Sequence, residues 1–191
     1  MSGIVTDRLL LRRWRESDRE PFARMNADPR VMEHFVAPLT RAESDVMIDR
    51  IEARFVDRGY SLWAAELRAS GEFIGFVGLS VPGFQAHFTP CLEIGWRLTA
   101  EHWGKGLATE GAQAVVRHAF EVLSLDELVS FTVPANVRSR HVMEKLGMTR
   151  NPAEDFDHPN IPAGHRMRRH VLYRLEKSAW EHSRAAFVHS P

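Results

Sequence analysis

The chain of 191 residues has little cysteine and no long hydrophobic run, and each absence excludes a class of protein. Its one cysteine, Cys91, permits neither an intramolecular disulfide nor a cysteine-based metal site. No apolar stretch approaches the roughly 20 residues that a membrane helix needs. Net charge is also lacking, because 25 Lys and Arg balance 25 Asp and Glu. We therefore expect no nucleic-acid partner and no membrane partner.

The beginning of the chain lacks the pattern of a secretory signal peptide, because acidic and arginine side chains come before any long apolar run. This favours a cytoplasmic protein. The apolar fraction of 44% and the charged fraction of 26% are ordinary for a globular protein. The length favours one domain with a core of its own.

Strand-like and helix-like segments follow one another in an order that predicts an α/β fold with a mixed sheet. Two helices are expected to begin at capping boxes, Ser17 with Glu20 and Thr40 with Glu43. The other predicted segments are strands at 8–14, 60–67, 72–81, 91–98, 127–133 and 169–175 and helices at 107–123 and 136–147. The tail at 177–191 is predicted to be weakly helical or frayed.

A turn with two glycines, Gly104 and Gly106, lies between a predicted strand and a predicted helix. Glycine allows a positive φ and lets an anion approach the backbone, and the free N–H groups of a helix start attract phosphate. Lys105 adds a positive charge. The spacing fits neither a P-loop nor a dinucleotide fingerprint, since Thr109 stands where the latter needs a third glycine. From these residues alone the turn is either a phosphate site or a tight turn without a ligand.

Several motifs, in the right order, resemble the GNAT N-acetyltransferases. The segment HWGKGLATEGAQAVVRHAF resembles their acyl-CoA pyrophosphate loop and following helix, with Gly106 and Ala108 at the G-x-[G/A] positions. TDRLLLRRW, EIGWRLTAEHWGKGLATEG and VPANVRSRHVMEKLGM are similar to segments of the RimJ/RimL-like branch, the ribosomal-protein N-terminal acetyltransferases and their relatives. The resemblance covers about residues 4–175.

This resemblance implies a GNAT fold with a twisted, mostly antiparallel sheet of about seven strands and about four helices. The strands at 91–98 and 127–133 are expected to splay apart. One acetyltransferase domain would cover residues 1–176, with a tail at 177–191. The implied cofactor is acetyl-CoA (coenzyme A), the other partner is an amine acceptor, and the protein would be a monomer or a homodimer.

The resemblance also implies cofactor-binding residues. The backbone of Trp96, Arg97 and Leu98 would pair with the pantetheine arm. The pyrophosphate loop would comprise His102, Trp103, Gly104, Lys105, Gly106, Leu107, Ala108 and Thr109. Asn136 either caps a helix, contacts the arm, or does both. Ser139 would lie near the sulfur or the carbonyl, and Arg138 near the 3′-phosphate, with solvated helix positions as the alternative for both.

The catalytic candidates are Glu93, Ser139, Asp157 and His158. Acetyl transfer to an amine needs removal of a proton from the amine and departure of a thiolate. Glu93 is the first choice of base and the Asp157–His158 pair the second, while a strand-pairing glutamate and an ordinary loop are the alternatives. The tyrosine acid of many relatives is replaced by Met143, whose thioether cannot donate a proton. Ser139 or water would then assist the thiolate, or it would leave unassisted.

The predicted function is transfer of an acetyl group from acetyl-CoA to a primary amine, by direct attack in a ternary complex. The acceptor is either a protein N-terminus or a small-molecule amine. A non-catalytic acyl-CoA-binding module is the alternative, and the replacement by Met143 is the feature that favours it.

Overall fold

The computed structural model describes residues 3–188, which form two compact units. The first unit contains the chain up to residue 80 together with residues 95–115, and the second contains residues 81–94 and the chain from 116 onward. Residues 189–191, the end of the predicted tail, lie outside the described part.

The first unit is a sheet with two helices near its beginning and a third at its end. Its strands follow the order β1-β2-β3-β4-β5, and the β1–β2, β2–β3 and β3–β4 pairs are antiparallel. The elements are β1 (Ile4–Val5), β2 (Leu9–Arg12), α1 (Arg19–Ala27), α2 (Arg41–Arg58), β3 (Leu62–Leu67), β4 (Phe73–Ser80), β5 (Glu93–Leu98) and α3 (Leu107–Arg117).

The second unit contains the first residues of β5 and all later elements. β5 pairs with β6 in parallel at Glu93 and Val129, and the order continues β6-β9-β7, with β8 paired to β9. The elements are β6 (Glu127–Thr132), α4 (Val137–Lys145), β7 (Thr149–Arg150), β8 (Phe156–Asp157), β9 (Arg169–Glu176) and α5 (Lys177–Val188). A π-helical turn, His118–Val122, directly follows α3.

The predicted α/β fold with a mixed, mostly antiparallel sheet is confirmed. Within residues 3–188 there are nine strands and five α-helices. The additional strands β1, β7 and β8 have two residues each, too few to leave a pattern in the sequence. In the same part of the chain, no helix is both long enough and apolar enough to cross a bilayer.

One predicted capping box is confirmed and the other is wrong. The hydroxyl of Thr40 accepts from the N–H of Glu43 at 3.2 Å, and the Glu43 carboxylate accepts from the N–H of Thr40 at 2.8 Å. The first helix does not begin at Ser17, because residues 16–18 form a 3₁₀ turn and α1 starts at Arg19. Instead, the carboxylate of Asp18 accepts a hydrogen bond from the backbone N–H of Arg15 at 2.8 Å.

Asp18 is held in place by a buried charge network on β2 and β3. Arg12 donates from Nη1 to Asp18 at 2.7 Å and from Nε to Glu66 at 2.6 Å. The three residues are 7%, 2% and 9% exposed, respectively. A buried guanidinium is tolerated only when anions pair with it, so each carboxylate is needed.

We expect Asp18→Ala to lower the free energy of unfolding by about 3–5 kcal/mol, because it leaves Arg12 buried with half of its partners. Urea denaturation followed by circular dichroism measures the change. The matched control is Asp49→Ala, whose carboxylate pairs with Arg19 but is 63% exposed. Its loss should cost less than about 1 kcal/mol. Equal losses in the two variants would contradict a special role for the buried network.

β4 and β5 approach each other closely at Gly75. This glycine has φ of 137° and lies next to a register shift between Ala65 and Glu66 of β3. A Cβ at this position would overlap the carbonyl oxygen of Arg97 and lie 2.8 Å from the Cα of Leu98. The backbone of β5 therefore occupies the space that any side chain at position 75 would need.

Candidate active site

The glycine turn has the backbone conformation predicted for it. Gly104 and Gly106 have φ of 72° and 77°. The helix α3 begins directly afterwards at Leu107, and the N–H of Glu110 closes its first turn on the carbonyl of Gly106 at 3.0 Å. The preceding N–H groups of a helix have no partner within it, so they can donate to an anion.

The turn is tied to the start of β2 by a clamp of three side chains: Thr6, Arg8 and Glu110. Arg8 donates from Nε to Glu110 at 2.6 Å and from Nη1 to the carbonyl oxygen of Lys105 at 2.9 Å. The Glu110 carboxylate also accepts from the hydroxyl of Thr6 at 2.6 Å and from the N–H of Arg8 at 2.8 Å. Although burial raises the pKa of Glu110, these hydrogen bonds outweigh it and lower that pKa. The carboxylate is thus charged at neutral pH.

Sequence reasoning missed this clamp. Arg8 and Glu110 are 102 residues apart, and a single sequence carries no sign of such a pair. Both lie in motifs that carried the family resemblance, TDRL and ATEG, which was the one signal available. The clamp also brings a second cation to the turn, because Nη2 of Arg8 lies 3.5 Å from the position of a Cβ on Gly106.

The side chains at the beginning of the turn are directed back into the protein. Trp103 donates from Nε1 to the carbonyl oxygen of Leu98 at 2.9 Å, and His102 forms a hydrogen bond of 2.8 Å with the hydroxyl of Thr99. Nothing lies within 4 Å of a Cβ placed on Gly104, and Lys105 is exposed. The turn therefore offers an open backbone surface with a free cation beside it, which suits a pyrophosphate.

The side-chain position of Gly95 on β5 is open. Among the described residues, no heavy atom other than those of its chain neighbours lies within 4 Å of a Cβ built there. Trp96 and Arg97 are half-buried and Leu98 is buried. The pairing of this backbone with a pantetheine arm stays a prediction.

In the second unit, the predicted capping role of Asn136 is confirmed. Its Oδ1 accepts from the N–H of Ser139 at 3.2 Å, and its Nδ2 donates to the hydroxyl of Thr132 at 3.0 Å. Ser139 is half-buried in the first turn of α4, and Arg138 is exposed. The cofactor contacts of these three residues stay predictions.

Met143, at the position of the usual tyrosine, is a core residue with 1% exposure. The nearby Tyr173 does not take over the missing role, since it is 4% exposed and its hydroxyl donates to Glu144 at 3.1 Å. Neither residue can give a proton to a departing thiolate.

The two choices of general base differ in their surroundings. Glu93 is half-buried at the start of β5. The pKa of the neighbouring Cys91 thiol is raised to about 11, mainly by burial and to a smaller extent by the negative charge of Glu93. Asp157 is 51% exposed, and hydrogen bonds from Arg168 and then Arg169 lower the pKa of its carboxyl. A solvated carboxylate that is doubly paired with arginine is a weak base.

His158 belongs to a cluster of aromatic rings and histidines. Its ring centroid lies 4.4 Å from that of Phe84 and 5.2 Å from that of His170. Burial lowers the pKa of both histidines. The other rings of the cluster are Phe88, Phe131 and Phe156.

The hydrogen bonds of these two histidines indicate which ring nitrogen carries the proton. Nδ1 of His158 accepts from the N–H of Asn160 at 3.3 Å, so in the neutral ring the proton is on Nε2. Nδ1 of His170 lies 3.1 Å from the carbonyl oxygen of Arg168 and must donate to it, which leaves a lone pair on Nε2. His158 is thus arranged as a donor and His170 as an acceptor.

Comparison with known proteins decides the family. The model of the acetyltransferase (GNAT) domain family matches residues 8–149. The chain is a GNAT acetyltransferase. It transfers an acetyl group from acetyl-CoA to an amine.

Relatives and solved structures agree with this assignment. The GNAT acetyltransferase is 32% identical over 173 residues to the FsC-acetyl coenzyme A-N(2)-transacetylase of Aspergillus fumigatus, covering 85% of this chain and 71% of the relative. An acetyltransferase structure from Agrobacterium tumefaciens has a TM-score of 0.73 and 28% identity, with 92% and 95% of the two chains covered. A Vibrio cholerae protein proposed to be a ribosomal-protein-serine acetyltransferase has a TM-score of 0.73 and 20% identity, with 92% and 99% covered. The GNAT fold is therefore confirmed.

Proposed function

We propose that the pyrophosphate of acetyl-CoA binds the turn from Gly104 to Thr109 and that the acetyl group passes directly to a primary amine in a ternary complex. The clamp of Thr6, Arg8 and Glu110 is the observation that carries this proposal. It orders the turn in a conformation that presents N–H groups and two cations, Lys105 and Arg8. A turn that merely connected two elements would not need this arrangement.

The finer assignments rest on the motifs described above. The RimJ/RimL-like branch is supported by those motifs and by a fold shared with the Vibrio cholerae protein, at an identity that bears on fold alone. A single domain over residues 1–176, a cytoplasmic location, and a monomer or homodimer remain part of the same proposal. The competing function is a non-catalytic acyl-CoA-binding module, favoured by Met143 at the position of the usual tyrosine.

Of the candidate bases, Glu93 is the better supported. Glu93 is half-buried at the start of β5, the strand to which the predicted contacts with the pantetheine arm belong. Asp157 is solvated and paired with arginine. His158 has its neutral proton on the nitrogen that would have to accept, so it is better arranged to orient an acceptor by donating a hydrogen bond. Ser139 on α4 is the predicted hydrogen-bond donor to the departing thiolate.

Release of free thiol from acetyl-CoA, measured across pH with a panel of amines, tests both the enzyme and its base. We expect Glu93→Gln to lower kcat by about 100-fold or more, since general-base catalysis contributes about 10²–10⁴-fold. The acidic limb of the wild-type pH profile should disappear with it.

Two matched variants complete that experiment. Asp157→Asn should behave as wild type, and His158→Gln should raise KM more than it lowers kcat. A loss of the acidic limb in His158→Gln but not in Glu93→Gln would reverse the assignment. Binding of acetyl-CoA with no thiol release for any amine would favour the non-catalytic module.

A further inference from the structure

Arg97 on β5 is a cation without an anionic partner. Among the described residues its guanidinium makes one hydrogen bond, from Nη1 to Oδ1 of Asn26 at 2.7 Å, and no salt bridge. Its Nε is buried and has no hydrogen-bond partner. Arg12 in the same unit differs, because its guanidinium pairs with two buried carboxylates. Burial of a charge is costly unless it is paired, so Arg97 lacks the compensation that Arg12 has.

The guanidinium of Arg97 is nevertheless held in a defined place. Its Cζ lies 4.2 Å from the ring centroid of Phe35 and 5.4 Å from that of Phe76, distances at which the rings attract a cation. Asn26 is fully buried and donates from Nδ2 to the hydroxyl of Ser44 at 3.1 Å, which fixes the direction of its Oδ1. Two rings and one amide therefore orient the cation without neutralising it.

The charge of Arg97 persists at neutral pH. Burial lowers its pKa to about 10, and no carboxylate raises that pKa again. An anion brought by a ligand would supply the missing interaction. Charge-assisted hydrogen bonds of this kind are roughly twice as strong as neutral ones.

The position of Arg97 indicates which ligand would bring the anion. The backbone of the same residue is expected to line the pantetheine arm, and the phosphates of the cofactor belong at the turn from Gly104 to Thr109. The side chain lies instead against Phe35, which is 40% exposed and offers an apolar surface beside the guanidinium. An acceptor amine that carries both a carboxylate and an apolar group would fit these features.

We propose that Arg97 binds the carboxylate of the acceptor and that the acceptor is a free α-amino acid with an apolar side chain. This inference rests on the proposed function, because it names the substrate class of the same site. It selects the small-molecule amine over the protein N-terminus, since the α-carboxyl group of an N-terminal residue is part of a peptide bond and carries no charge.

Matched pairs of acceptors test the proposal. Thiol release is measured with acetyl-CoA and each of L-leucine, L-phenylalanine and L-methionine, and with the carboxamide of each amino acid. We expect wild-type kcat/KM to be about 10–100-fold higher for the amino acid than for its amide, the range for a hydrogen-bonded charge pair. Arg97→Gln should remove that preference by lowering the value for each amino acid about 10–100-fold more than the value for its amide. Arg97→Lys should retain part of it.

Three results would overturn the inference. One is an acceptor specificity of the wild-type protein that does not favour the amino acids. Its kcat/KM would be equal for amino acid and amide, or it would acetylate spermidine or a peptide but none of the amino acids or amides. Another is a rise in the Kd for acetyl-CoA in Arg97→Gln, which would assign the side chain to the cofactor. A wild-type protein that neither binds acetyl-CoA nor releases thiol with any amine would remove the proposed function, and the inference with it. If Arg97→Gln does not fold, the comparison of each amino acid with its amide in the wild-type protein still tests the proposal.

Discussion

Gly106→Glu should abolish measurable binding of acetyl-CoA in isothermal titration calorimetry, while the wild-type protein binds saturably. The substitution places a carboxylate where the pyrophosphate would lie, so like charges meet at the start of α3. It also removes the residue best suited to a φ of 77°, a conformation that costs other residues about 1–2 kcal/mol. A Kd increased by less than about 10-fold, or 1.4 kcal/mol, would argue against the turn as the phosphate site.

Gly71→Glu is the matched control for that experiment. Gly71 lies in the β3–β4 turn of the same unit, has φ of 71°, and has nothing within 4 Å of a Cβ. The two variants share a left-handed backbone and the added charge, but Gly106 directly precedes α3 whereas Gly71 lies in the turn before β4. We expect Gly71→Glu to bind acetyl-CoA as the wild type does. Loss of binding in both would point to destabilisation rather than to the turn.

Gly75→Ala should be the most destabilising single substitution that we predict. The new Cβ would overlap the carbonyl oxygen of Arg97, and both partners are backbone atoms of paired strands, which cannot rotate away. We expect a loss of about 4 kcal/mol or more in the free energy of unfolding, in the range reserved for severe structural conflict. For a chain of this length the melting temperature should fall by roughly 8–16 °C.

Gly71→Ala again serves for comparison, and differential scanning calorimetry measures both proteins. Gly71 has a φ of 71°, in the left-handed region, and no steric conflict at its Cβ, so its substitution should cost about 1–2 kcal/mol. Equal melting temperatures of the two variants would contradict a steric conflict between β4 and β5 at Gly75. Recovery of only insoluble Gly75→Ala, beside soluble Gly71→Ala, would agree with the expectation.

Features that depend on neighbouring residues could be predicted from the sequence. The box of Thr40 and Glu43 and the positive φ of Gly104 and Gly106 are examples, because three or four consecutive residues decide them. The cap of α4 by Asn136 belongs to the same class.

Features that depend on distant pairs could not be predicted. The predicted cap at the first helix was wrong, and in the folded chain Asp18 is buried and paired with Arg12 of β2. The clamp on the glycine turn and the single hydrogen bond of Arg97 are equally non-local. In the second unit, the arrangement of His158 as a donor depends on Asn160, whose N–H is directed by the loop geometry rather than by residue type.

The clamp makes the glycine turn dependent on residues that are synthesised long before it. Thr6 and Arg8 leave the ribosome about 100 residues before the turn, and until Glu110 has emerged they lack their partner. The turn consequently matures late, when both ends of the first unit can meet. A protein shortened by its first eight residues would keep every residue of the turn and still lose the contacts that order it.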